Sequence, residues 1–162
     1  MDGNGTGMER SRIRRVAGAG LAVCLLVAPS ALRGADQPTI EELKARLANT
    51  RNVADRPALC LHISERQVDA AERFYIAGDR ENAQAALADV TAFAELDRDY
   101  AIQSHKHEKQ SEIAIRKMAR KLADLKHTIS HEDQDPVQET IDRLQRIRDE
   151  LLAAMFPKGG KK

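Results

Sequence analysis

Tryptophan is absent from this 162-residue chain, and three phenylalanines and two tyrosines are its only aromatics. So few rings leave little to stack on nucleic-acid bases or to line an apolar ligand pocket. No glycine-rich phosphate-loop motif is present, and alternating runs of β-branched residues are missing. Proline and glycine between residues 36 and 162 are confined to Pro38, Pro57, Gly78, Pro136, Pro157, Gly159 and Gly160. With helix breakers so sparse and Ala, Leu, Glu, Lys, Arg and Gln abundant, the composition is that of helices. Cysteine occurs only as Cys24 and Cys60. One thiol beyond residue 35 cannot close an internal disulfide, which excludes a disulfide scaffold. Beside Leu59 and Ile63, Cys60 reads as a small buried residue.

No long hydrophobic run exists either. The longest, residues 16–27, is about a dozen residues, short of the roughly 20 needed to cross a membrane as a helix. It follows the basic stretch Arg12-Ile13-Arg14-Arg15 and precedes Pro29-Ser30-Ala31. That order of charge, apolar run and small residues predicts a secretory signal over residues 1–35, cut between Ser30 and Ala35, with an uncleaved anchor as the alternative. Val23 is too large for the position before a lipoprotein cysteine at Cys24. Arg14-Arg15 lacks the residues that usually follow in a twin-arginine signal. The chain is therefore expected to be secreted or periplasmic, touching a membrane only if the signal is retained.

Neither sign of charge dominates. Setting aside Arg10, Arg12, Arg14, Arg15 and Arg33 leaves 21 of the 26 basic residues, and setting aside Asp2 and Glu9 leaves 23 of the 25 acidic ones. Residues 36–162 thus carry a net charge of −2 with histidine neutral, which argues against nucleic acid as a partner.

The punctuation predicts an all-α bundle of about five helices over residues 36–157, followed by a disordered basic tail at 158–162. Thr39 with Glu42 forms a capping box for the first helix, with Ile40, Leu43 and Leu47 on its apolar stripe. Pro57 suits the first turn of the second, with Leu59, Ile63, Ala70 and Phe74 on one face and Gly78 as its stop. Asp79 caps the third, where Ala83, Leu87, Val90 and Ala94 recur at helical spacing. Ile115, Met118, Leu122, Leu125 and Ile129 form a heptad-like stripe on the fourth. Pro136 opens the fifth, with Val137, Ile141, Leu144, Leu151 and Met155, and Arg148 at its one polar position. A continuous helix over 79–129 would be about 75 Å long and would leave its stripes bare. A turn is therefore expected within the polar stretch 103–112.

Residues 71–83, from Ala71-Glu72-Arg73-Phe74-Tyr75 across Gly78-Asp79 to Ala83, with Leu87 and Val90 beyond, resemble the turn of a tetratricopeptide repeat. The resemblance covers about one repeat length, and no second copy follows at 34 residues. It implies one well-formed helical hairpin.

Candidate chemistry is thin. His127 and His131 are four residues apart, the spacing that lets two imidazoles share a metal on one helical face, with Glu132 and Asp133 nearby. No further ligand is placed by the pattern, so no metal is assigned. His105 and His107, like Cys60 and His62, are two apart and diverge on a helix. Ser130-His131-Glu132-Asp133 has the residue types of a triad, but neighbours in sequence do not converge in space. Paired acids such as Glu41-Glu42 and Asp149-Glu150 read as solvated faces. Arg116, Lys117, Arg120, Lys121 and Lys126 make the fourth helix basic, with the acids of 132–135 and Glu139, Asp142 and Asp149 as expected internal partners. No catalytic residue, cofactor site or metal site is assigned. The expectation is a non-catalytic structural or interaction module of the cell envelope, binding another protein or itself. The alternative is a metal-ion or small-ligand binding bundle that uses His127 and His131.

Overall fold

The structure, a computed structural model, describes residues 38–157. The signal read at 1–35 and the tail at 158–162 lie outside the described residues. The described part is 86% helical with five helices and no strand, an all-α bundle. The helices are α1 (Ile40–Asn49), α2 (Arg56–Ile76), α3 (Arg80–Ser104), α4 (Glu108–Lys126) and α5 (Gln134–Met155). Short 3₁₀ turns, Val53–Asp55 and His131–Asp133, precede α2 and α5. Among the described residues, no helix is long and apolar enough to cross a membrane.

Local chemistry sets the helix ends. At α1 the Thr39 hydroxyl accepts from the Glu42 N–H at 3.2 Å while the Glu42 carboxylate accepts from the Thr39 N–H at 3.1 Å. Two otherwise unpaired amides are thereby satisfied at once. α2 ends in a Schellman turn. The Asp79 N–H donates to the Phe74 carbonyl at 2.9 Å and the Gly78 N–H to the Tyr75 carbonyl at 3.1 Å, with Gly78 at φ 75°. That left-handed conformation favours glycine because it carries no Cβ. Asp79 then caps α3 by accepting from the Asn82 N–H.

The end of α3 repeats the Schellman pattern without glycine. Lys106 and His105 donate to the Ala101 and Ile102 carbonyls, with His105 at φ 50° and His107 at φ 68°. The turn expected within 103–112 thus occupies three residues, two of them in left-handed backbone. Pro136 sits in the first turn of α5 rather than opening it, and the helix begins two residues earlier at Gln134. Proline is tolerated there because the first-turn amides lack intrahelical acceptors in any case.

The helices pair as two stacked hairpins. Ser64 and Gln67 of α2 meet Val90 and Asp89 of α3, so these helices run antiparallel. Lys126–Gln138 and Glu112–Arg148 show the same for α4 and α5. Between hairpins the order is parallel: Asp69 meets Lys121, Arg80 meets Asp133, Glu95 meets Arg143 and Arg98 meets Glu150. α2 therefore lies along α4, and α3 along α5. α1 lies on the other side of the first hairpin, where Lys44 reaches Asp89 at 2.7 Å and stands over the Phe93 ring. At about 100° per residue, Asp89 and Phe93 fall on the face of α3 opposite Glu95 and Arg98. The layers are thus α1, then α2 with α3, then α4 with α5.

The stripes read from the sequence meet in one core. Ala83, Leu87, Val90, Ile115, Met118, Leu122, Leu125, Val137, Ile141, Leu144 and Leu151 are all buried in it. On α2 the buried surface is wider than the expected face. Ile63 and Ala70 are buried as expected, Cys60, Val68, Ala71 and Tyr75 are buried with them, and Leu59 and Phe74 are only half-buried. Contact with α1, α3 and α4 on three sides selects the small residues, which let neighbouring helices approach closely. Both heptad stripes are consumed inside the chain.

Candidate functional site

The histidines read as possible metal ligands flank the turn between α4 and α5. His127 is the C-terminal cap of α4, His131 opens the second 3₁₀ turn, and both are exposed. The acids beside them are engaged elsewhere. Glu132 and Asp133 receive Arg80 at 3.1 and 3.0 Å, and the Ser130 hydroxyl donates to Asp133 at 2.6 Å. His105 and His107 lie in the α3–α4 turn, about 28 Å of helix from His127. Among the described residues, no group of three or more His, Cys, Asp and Glu side chains converges to hold a metal.

A buried polar contact lies in the interior, and the sequence reading missed it. Asp97 of α3 is 0% exposed. Its Oδ1 accepts from the Ser111 hydroxyl of α4 at 2.9 Å, while its Oδ2 has no partner. Burial pushes this carboxyl up to about 7, against the downward pull of the Ser111 hydrogen bond. Desolvation disfavours the charged form, and one hydroxyl donor cannot replace a hydration shell. Cys60 of α2 is also fully buried. Burial and then the negative charge of Asp97 raise its thiol to about 12, with Arg56 opposing them. A thiol held so high is almost entirely protonated at neutral pH and is a poor nucleophile. Asp97 and Ser111 meet with no imidazole assigned to either, inside a packed core. That arrangement binds helices together and does not present a reacting group.

A half-buried ion pair joins α4 to α5. Glu112, nearly buried, accepts from Arg148 Nε at 2.7 Å and lies 3.7 Å from Arg116. Arg148 was visible as the polar interruption of its heptad. Glu112 and Asp97 carried the same signal, since each continues the buried spacing of its helix, three residues before Ile115 and three after Ala94.

The basic residues of α4 find other partners than expected. Lys121 reaches Asp69 at 2.6 Å and Glu72 at 2.9 Å on α2, and Lys126 donates to Gln138 at 2.7 Å. The acids of 132–135 neutralise Arg80 of α3 instead, because the parallel stacking brings the start of α3 beside the start of α5. Asp142 accepts from Gln138, and Asp149 lies 4.0 Å from Arg148. Lys117 and Arg120 have no ion-pair partner among the described residues.

Those cations flank two surface grooves. Lys117 and Lys121 border one of about 320 Å³ between α2 and α4, together with His62, Glu65 and Met118. A larger groove of about 550 Å³ runs between α4 and α5 on the outer face of the second hairpin. Ile115, Ala119, Ala123, Ile141 and Leu144 line it, and Arg116, Arg120, Gln145, Arg148 and Asp149 stand along it. No protein family, curated protein or solved structure matches the chain in comparisons with known proteins.

Proposed function

We propose that this chain is an exported, non-catalytic interaction module of the cell envelope that binds another protein through the outer surface of its second hairpin. The observation that supports this most is the α4–α5 groove, where arginines stand along a crevice whose buried floor is Ile115, Ile141 and Leu144 and whose partly exposed apolar residues are Ala119 and Ala123. Apolar floor with charged rim is the common anatomy of helix-recognition surfaces. The interior supports the same reading. Asp97 and Cys60, the two groups furthest from their ordinary protonation behaviour, are sealed between helices rather than set in a cleft. The basic stretch and apolar run before residue 36 support export.

The experiment is crosslinking in the host envelope, using the protein expressed from its full-length sequence, followed by isolation of the crosslinked species. The reading expects a defined complex with one other protein in the exported fraction. A chain recovered only as an uncrosslinked monomer from that fraction, or recovered only inside the cell, overturns it.

A further inference from the structure

We infer that the outer groove between α4 and α5 is a docking site for an acidic amphipathic helix of a partner protein. The inference rests on the interaction-module reading and adds the chemistry of the partner.

The first argument comes from the fold. The outer face of the first hairpin is occupied by a helix: α1 buries Leu43 there, half-buries Ile40 and Leu47, and anchors through Lys44 to Asp89. The outer face of the second hairpin has a crevice between α4 and α5 and no helix on it among the described residues. From Ile115 to Ala123 the groove extends along about 12 Å of α4, two helical turns. Half-buried Ala119 and Ala123, one turn apart, leave room for a helix backbone to approach.

The second argument is charge. Arg116, Arg120 and Arg148 outnumber the nearby carboxylates Glu112 and Asp149, and Glu112 is shared between two of the arginines. Arg116 and Arg120 are about 6 Å apart along the helix, the spacing of carboxylates at i and i+4 on a facing helix. Guanidinium groups bind carboxylates in a fork geometry, so such a partner gains orientation as well as attraction. A bilayer fits less well: it is flat, whereas Ile115, Ile141 and Leu144 lie buried beneath the arginines.

The probe is a helix-stabilised peptide with Leu and Ala on one stripe and Glu flanking it, compared with a counterpart carrying Lys for Glu, and titrated by fluorescence anisotropy. The acidic peptide should saturate the wild-type protein while the basic one does not, with amide shifts at Ala119, Ala123 and Gln145. Arg120→Glu should weaken binding by about tenfold or more, and Lys117→Glu, an equal charge change on the lip facing α2, by less than about threefold. Both residues are exposed, and unchanged melting of each variant would verify the fold. Absence of saturable acidic-peptide binding overturns the inference, as does equal weakening by both variants, which would mean diffuse attraction. Preference for anionic vesicles over the peptide, or self-association abolished by Arg120→Glu, overturns it in favour of a membrane or a second copy. If the peptide fails while the protein still forms its envelope complex, the groove assignment falls and the interaction reading stands.

Discussion

Replacing Asp97 with asparagine should stabilise this protein above neutral pH and leave it nearly unchanged near pH 4. The carboxyl is fully buried, takes one hydrogen bond from Ser111, and is raised by burial from 3.8 to about 7. A folded state that holds a proton more tightly than the unfolded chain is favoured where both are protonated, below about pH 4. As pH rises from there, the unfolded chain releases its proton and gains stability, whereas the folded chain does not until about pH 7. Between those limits the separation corresponds to a loss of about 4 kcal/mol, at about 1.4 kcal/mol per tenfold change in proton affinity. Asparagine keeps an acceptor for Ser111 and does not titrate. Its amide N–H lacks an assigned acceptor just as the protonated carboxyl does, so the two proteins should match in acid. Urea denaturation followed by circular dichroism between pH 4 and 8.5 reads the effect. The variant-minus-wild-type difference removes carboxylates common to both, and Cys60 titrates far above the window. A difference that grows by about 2–4 kcal/mol from pH 4 to 8 is expected. Parallel pH profiles, or a variant less stable at pH 8, would refute the reasoning that an ionisable Asp97 strains the core.

The two left-handed turns predict opposite responses to exchange of side chain. Gly78→Ala meets no atom within 4 Å of the added Cβ, so only backbone strain acts and the loss should be about 1 kcal/mol by thermal melting. His105→Gly, at φ 50° and exposed, should gain a similar amount, about 1 kcal/mol, by relieving that strain. Arg148→Ala should destabilise by about 1–2 kcal/mol, below the usual loss for a broken buried pair, because Arg148 is 35% exposed while Glu112 is left nearly buried. Cys60 should resist a thiol-specific reagent in the native protein and react at the rate of global unfolding, measured by labelling in increasing urea. Rapid native labelling would show that α2 opens locally.

The features legible from residues alone are those that act within one turn of helix. The Thr39–Glu42 capping box, the Gly78 stop, the Asp79 cap and the buried spacings from Ala83 to Ala94 and Ile115 to Leu125 each depend on partners three or four residues away. A linear pattern contains both members of every such interaction. Even the displaced start of α5 follows a local rule, since a first-turn proline marks the opening of a helix to within a turn. Parallel stacking of two hairpins is a different matter. Its contacts join residues about 50 apart, such as Asp69 with Lys121 and Arg80 with Glu132. Many pairings of acids and bases are compatible with the same sequence, and the packing of apolar stripes selects among them. That selection sends the acids near His131 to Arg80, buries Asp97 beside Cys60, and turns Arg116 and Arg120 toward an open groove. Helix positions and the all-α class were thus set by short-range hydrogen bonding and periodicity. Which charges are buried, paired or presented to a partner was settled only when the hairpins packed, because burial and dielectric belong to the assembled core rather than to any one segment.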